Sequence, residues 1–523
     1  MKLTRTITIL LLTGLLLPTL AACGSSGEIS VTAALQSTTT TTATPTAPPV
    51  TTAGVPEREY PAVQPLDTVN FAKEGFEGDG LIVSVGYVEG TKGTYTRRSL
   101  QADEQLYESI DQKTLERNQL LSQQTGLQLK VAPVTYSYTG METTLGTDLM
   151  AGESEYDILA GSQLHSLGMA TKGYLLNLAE LDAMNANYIN LSASYWAPDY
   201  NAAINSQGAY YWITGDISLR YLNGMYCTLV NTRLYQDNLE REYGSIYRIV
   251  REGKWTIDLM IEMVTQFYVD GGNASGRPDM YDTFGFGYEK NEIIDALAMG
   301  MNARFTSVDP ESGEISIAVK TEHNKDVASK LKEIADIEEG TYCYYDSDSG
   351  VLMKSFAADK LLYAVNPLYQ IEEYLYNMDH YTVIPTPKYD ENQTKYRTLV
   401  QDSCDVFGIV YCSSEVRQAA AALELLCAYS SRDVMPQYYF QITNRRYAED
   451  NELMEMFYII HGAATTDFGY AWSQSINQIK TLYWDSVSTS FNPSKRRINE
   501  WTEALNELTQ RLSNHMLNTH PQS

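Results

Sequence analysis

Between Gly208 and Arg220 the chain reads GAYYWITGDISLR. Tyr210, Tyr211 and Trp212 supply three adjacent aromatic planes, and Asp216 and Arg220 follow close behind. Aromatic rings stack on the C–H face of a polar ring, and a tyrosine adds a hydroxyl at the ring edge. A carboxylate accepts hydrogen bonds from ligand hydroxyls and a guanidinium donates them. This is recognition chemistry suited to a sugar. The composition leans the same way, with 39 tyrosines against 12 phenylalanines. Most of those tyrosines must be structural, since the residue also suits half-buried strands. Core packing for Trp212 and an internal cap for Asp216 are the plainer alternatives.

Such groups need a scaffold, and the apolar periodicity indicates one. Residues 81–85 form a short apolar run, and 103–124 place Leu106, Ile110, Leu115, Leu120 and Leu121 at helical spacing. Gly126 stops that helix and 127–134 resume as a strand. Strand, helix, strand predicts a βαβ unit and a parallel sheet. A helix over 141–151 and a strand over 156–161 make a second unit. Ligands of open parallel sheets gather beyond the carboxyl ends of the strands. That rule adds Tyr87, Glu89, Ser162 and Gln163 to the candidates.

Thr256 is placed to cap a helix running to Tyr268, and strands are predicted over 361–365 and 406–410. Helices are predicted over 415–429, 452–460 and 496–512, the last with Ile498, Trp501, Leu505, Leu508 and Leu512 on one stripe. The class is α/β, and 523 residues are too many for a single sheet.

The N-terminus carries Lys2 and Arg5 and then an apolar run to Leu20, the pattern of a secretory signal. Leu20-Ala21-Ala22-Cys23-Gly24 resembles the lipobox of bacterial lipoproteins, which implies cleavage after residue 22 and lipidation of Cys23. Residues 23–59 are centred on a tract of Thr, Ala, Pro and Val, a composition that builds no core and predicts a disordered stalk. Losing Lys2 and Arg5 takes the formal charge from −27 to −29, which argues against nucleic acid as a partner. The five cysteines after Cys23 are an odd set unlike a disulfide framework, so mostly buried thiols are expected.

No HExxH, CxxC, GxSxG, GxxxxGK[ST] or GxGxxG occurs, and the six histidines are scattered. No cofactor, metal or catalytic constellation is expected. Among 65 acidic residues, a carboxylate pair of the kind glycoside hydrolysis uses is not excluded by sequence. A surface glycosidase and a sensor or adhesin binding protein therefore stay as alternatives.

Five stretches carry a resemblance: YDILAGSQLHSLGMATKGYLLNLAEL, YWAPDYNAAINSQGAYYWITGDISLRYLNGMYCTLVN, WTIDLMIEMVTQFYVDGG with YDTFGF, SFAADKLLYAVNPLY, and VIPTPKYDENQTKYRTLVQDSCDVFGI. In this order they resemble the family 1 extracellular solute-binding lipoproteins of ABC importers, especially a large clostridial branch. The resemblance implies two lobes with a hinge and a solute held in the cleft between them. It implies chain crossings near 224–230 and 400–407, one lobe from 60–224 plus 401–440, and another from 225–400 plus 441–523. It places Gly208–Arg220 along the cleft wall and offers Trp196, Tyr288, Tyr369 and Asp402 as further contacts, with Tyr470 and Trp472 as weaker ones.

The implied function is capture of a carbohydrate and delivery to permease subunits by a monomer anchored on the outer face of the cell membrane. Relatives carry a calcium-loop-like run near 270–282; here DGGNASGRPDMYD lacks most of the oxygens such a loop needs. A surface loop is expected there.

Overall fold

The computed structural model describes residues 82–88, 94–102, 109–135, 141–272, 277–344, 350–442 and 451–518. The signal segment, Cys23, the stalk and Glu89 lie outside the described residues.

Two sheets organise the body. The first contains β1 (Ile82–Val88), β2 (Gln128–Thr135), β3 (Ile158–Ser162) and β13 (Asp405–Ile409) in the order β13-β3-β1-β2. The helices Ser109–Thr125 and Met141–Met150 connect the first three strands, which run parallel as the βαβ pattern predicts. β13 instead runs antiparallel to β3 and pairs Asp405 with Ser162. It arrives from the other lobe, so the crossing sets its direction rather than βαβ winding.

The second sheet contains β4 (Tyr226–Asn231), β5 (Tyr268–Val269), β6 (Thr283–Tyr288), β9 (Thr341–Cys343), β10 (Leu361–Pro367) and β11 (Tyr381–Ile384). β4 is antiparallel to both β10 and β11, while β6 runs parallel to β10 and β9. Every residue of β4 and β10 is buried, which matches their near-continuous apolar sequences. Thr256 caps the helix Ile257–Thr265 as its side chain accepts from the Leu259 N–H at 3.3 Å.

Between the sheets, stretches of chain lie side by side. Met225 bridges to Val400, and the Gln401 N–H donates to the Gly224 carbonyl at 2.9 Å. β12 (Thr398–Leu399) pairs in parallel with β14 (Ala464–Thr465). A Cβ at Gly224 would stand 2.7 Å from the Arg220 carbonyl oxygen, so the turn into the second lobe requires glycine. The backbone groups of these connectors pair with one another, so the chain passes between lobes without leaving them unsatisfied.

The C-terminal part touches both lobes. The helix Asn451–Gly462 packs on β11, Phe468–Ala471 packs on the helix Pro198–Ile204, and Lys495–Asn518 packs on β8 (Ile315–Ile317) and on the 3-10 turn Leu167–Lys172. Its predicted stripe is the face it buries, with Trp501 fully enclosed, its indole N–H 3.3 Å from the Asn477 carbonyl and Arg497 over the ring. Trp501→Ala should destabilise the protein by about 3–5 kcal/mol, measured as a lower chemical-denaturation midpoint. An unchanged midpoint would show that this helix is not integral to the body.

Candidate functional site

The aromatic segment of the first lobe turns inward. Trp212 is 1 % exposed and Trp196 is 0 % exposed, each within a hydrophobic core. Glu424 holds that region: it accepts from the Trp196 indole at 2.7 Å, from the Asn190 N–H at 3.0 Å and from the Tyr195 hydroxyl. Burial raises the Glu424 pKa above the ordinary carboxylate value. Tyr210 is half-buried; Tyr211 and Trp212 are buried, and the Tyr211 hydroxyl and Trp212 N–H lack partners. Asp216 is paired with His461 at 2.6 Å, and Arg220 is buried within reach of the Asp405 charge.

Trp196, Trp212, Asp216 and Arg220 are thus all buried in this structure. An aromatic run followed by charges is equally what a core needs when it ties a loop to a neighbouring helix.

A different constellation forms where the lobes meet. Beyond β3, the Gln163 N–H donates to the Cys404 carbonyl and the Leu164 N–H to the Asp402 carbonyl, both at 2.8 Å. This lashes Ser162 and Gln163 to the crossing strand. The Tyr200 hydroxyl donates to Gln163 Oε1 at 2.8 Å, and Gln163 Nε2 has no partner in the chain. From the C-terminal segment, Lys480 Nζ reaches Asp402 Oδ2 at 2.7 Å and Glu292 Oε1 at 3.4 Å. Glu292 opens the helix Glu292–Gly300 of the second lobe. One turn on, Asp295 Oδ2 accepts the Trp484 indole N–H at 2.8 Å while Oδ1 has no partner. Tyr226, Tyr369 and Tyr470 complete the group: Tyr226 feels the charges of Glu292, Asp402 and Asp295 and neighbours Tyr369, and Tyr470 feels Asp402, Asp295 and Glu292.

The electrostatics follow from burial. Burial pulls the Lys480 ammonium down, but the Asp402 carboxylate and its hydrogen bond, with Glu292 and Asp295, outweigh it and hold the pKa above the ordinary lysine value. For Asp295 burial wins, and its pKa lies well above the usual carboxylate range despite the Trp484 bond. His165, half-buried on the first-lobe side, is pushed down by burial against the pull of Asp402. One ammonium is already shared by two carboxylates, beside an acid whose pKa burial holds well above the usual carboxylate range. Polar atoms at Gln163 Nε2, Asp295 Oδ1 and the Tyr470 and Tyr483 hydroxyls are buried without partners. Such atoms are uncommon and call for a partner.

Two open grooves are lined by other residues. One, of about 510 Å³, lies between residues 202–210 and the β-hairpin end at Val308–Ile315. The other, of about 480 Å³, lies between Glu142 with residues 168–172 and the last helix. Their walls are mostly exposed charged or small residues, and the buried, partnerless recognition groups at the seam line neither.

Of the sequence-predicted residues, Gln163, Asp402 and Tyr369 join the seam and Ser162 adjoins it. Tyr288 sits in β6, stacked on Phe286 with ring centroids 5.9 Å apart. Trp472 is buried, its indole bonded to the Ile204 carbonyl at 2.9 Å. In the 270–282 loop Asp282 accepts from the Gly271 and Asp279 N–H groups and the Tyr268 hydroxyl, all at 2.8 Å. This carboxylate organises its own turn. Cys227, Cys404 and Cys427 are buried thiols, and Cys412 is half-buried. Among the described residues no three His, Cys, Asp or Glu side chains group as a metal site, and no helix is long and apolar enough to cross a membrane.

Sequence reasoning missed Lys480, Glu292, Asp295, Trp484 and Tyr226. Two of them left a signal: Asp295 is the one charge in the otherwise apolar run IIDALAMG, and Lys480 is the one charge among the apolar Ile476, Ile479, Leu482 and Trp484. Such a charge is costly unless something faces it.

No known protein-family model matches the chain, and no curated protein is similar to it in sequence. Among solved structures, it is similar to the galacto-N-biose/lacto-N-biose I-binding protein of the ABC transporter from Bifidobacterium longum, in complex with lacto-N-biose. The TM-score is 0.51 at 13% identity, covering 84% of this chain and 98% of that one. It is also similar to a cyclo/maltodextrin-binding protein complexed with maltotetraose, with a TM-score of 0.52 at 13% identity over 83% of this chain and 98% of that one. The fold is therefore the two-lobed α/β fold of periplasmic-binding-protein type, with a hinge and an inter-lobe cleft.

Lys480→Met should destabilise by about 3–5 kcal/mol, because Asp402 is left charged and buried. The double variant Lys480→Met/Asp402→Asn should recover most of that loss. Equal losses in the single and double variants would show that the pair is not coupled.

Proposed function

We propose that the protein is a family 1 solute-binding protein of an ABC importer, which captures a carbohydrate between its lobes and presents it to permease subunits. The observation that carries this reading is the seam itself, where phenols, an indole and buried polar atoms without partners converge from both lobes. The fold is shared with two proteins whose structures contain bound oligosaccharides. Phenols and indoles stack on sugar faces, and partnerless donors and acceptors match hydroxyls.

In this reading Gln163, Tyr369 and Asp402 take part in recognition, with the lobes drawn from 60–224 plus 401–440 and 225–400 plus 441–523. Lipidated Cys23 and its stalk hold the monomer at the outer face of the membrane. Closure about the hinge excludes water, and solute selects the closed state.

Isothermal titration with lacto-N-biose, maltotetraose and further oligosaccharides should give a single-site isotherm for at least one of them. Small-angle scattering should show compaction at saturation, and the sugar should be recovered intact. Unchanged scattering at saturation would remove the hinge mechanism, and a cleaved sugar would replace binding by glycoside hydrolysis.

A further inference from the structure

We propose that Asp295 takes part in solute capture as a neutral carboxylic acid, using Oδ1 to hydrogen-bond the solute, and that the seam thereby selects uncharged sugars over anionic or cationic ones. The proposal rests on the carbohydrate-binding reading above and concerns which carbohydrates the same site takes.

The geometry carries it. Asp295 is 0 % exposed on the buried face of the helix Glu292–Gly300. Its Oδ2 is committed to the Trp484 indole at 2.8 Å, which leaves Oδ1 as the free end of the carboxyl group. Lys480, the ammonium that acts on it, is already held by Asp402 at 2.7 Å and by Glu292 at 3.4 Å. A buried carboxylate lacking its own cation avoids the desolvation cost by keeping its proton. The charges and titratable groups that act on it agree with this. Burial is the largest influence and raises its pKa, Glu292 and Asp402 raise it further, and Trp484 and Lys480 oppose them. Tyr226, Tyr470 and Tyr483 lie within electrostatic reach of it, and burial raises their own pKa values.

Two of those phenols, Tyr470 and Tyr483, share with Asp295 the lack of a partner for a buried oxygen. Three buried hydroxyl-type groups, with Asp295 in electrostatic reach of both phenols and beside an ion pair that is already closed, form a site with hydrogen bonds to offer and no unshared ammonium among the groups that act on Asp295. A uronate would meet no unshared cation, and an amino sugar would have to compete with Lys480 for Asp402 and Glu292. A neutral polyol meets neither obstacle.

The pH dependence has a definite sign. A carboxyl whose folded pKa is raised favours the folded state while protonated, so stability falls as pH rises through that folded pKa. Asp295→Asn keeps the shape and the hydrogen-bonding capacity of the acid without the proton equilibrium, whereas Asp295→Leu removes both.

The test compares wild type, Asp295→Asn and Asp295→Leu by thermal shift from pH 5 to 9, first without sugar. Titration calorimetry then uses lacto-N-biose, maltotetraose, a trigalacturonate and a fully deacetylated chitotriose. The expected result is that Asp295→Asn loses the fall in stability with rising pH that Asp295 contributes and binds the neutral sugar within about threefold of wild type. Asp295→Leu should lose about tenfold or more, and the charged sugars should bind wild type at least about tenfold more weakly than the neutral one. Equal neutral-sugar affinity in wild type and Asp295→Leu overturns the proposal while leaving the carbohydrate reading intact; it assigns Asp295 a purely structural place. Tighter binding of a charged sugar also overturns it. Failure of every sugar to bind wild type overturns the carbohydrate reading, and the proposal with it.

Discussion

An ammonium and a carboxylate sealed 2.7 Å apart, Lys480 and Asp402, tie the molecule together where its lobes meet. Asp402 sits in the turn between β12 and β13, and its carbonyl also accepts the Leu164 N–H at the end of β3. Lys480 arrives from the C-terminal segment and extends the tie to Glu292 of the second lobe. Neither charge tolerates the interior alone, since the desolvation penalty of an unpaired buried ion amounts to several kcal/mol. The segments that carry them are therefore held in register with one another.

That constraint shapes the surroundings. Asp295 lies next to a cation already shared by two carboxylates, which is why burial rather than pairing governs its protonation. Polar groups that elsewhere would be satisfied by neighbouring backbone stay without partners in the chain. A seam with one closed ion pair and several open hydrogen-bonding positions is poor as a core and well suited to a solute. The first-lobe aromatic segment closes part of its polar groups: Trp196 and Tyr195 both close on Glu424, and one Asp216 oxygen closes on His461. The two regions use similar residue types, and both keep buried polar atoms without partners; only the seam draws its groups from both lobes.

The C-terminal segment gives the hinge its particular character. Trp472 bonds to the Ile204 carbonyl of the first lobe while Phe305 of the second packs on Tyr470 and Tyr483. The last helix lies on β8 and on residues 167–172 together. Relative movement of the lobes must therefore slide or release one set of these contacts.

Local periodicity sufficed to place the elements, because a helix or strand declares its buried face over a few neighbouring residues. The strands at 82–88, 128–135 and 158–162 and the helices at 257–265 and 416–429 follow from their apolar spacing alone. Gln163 was named because strand ends follow from that order of elements, and Asp402 because the family resemblance placed a chain crossing beside it. The inward turn of Trp196 and Trp212 was not reachable, since a stacking plane and a core ring have the same sequence. Nor was the company of Lys480, whose partners lie 78 and 188 residues away. Charge pairing across such separations depends on how two lobes and a C-terminal segment come to rest against one another, and tertiary structure alone decides that.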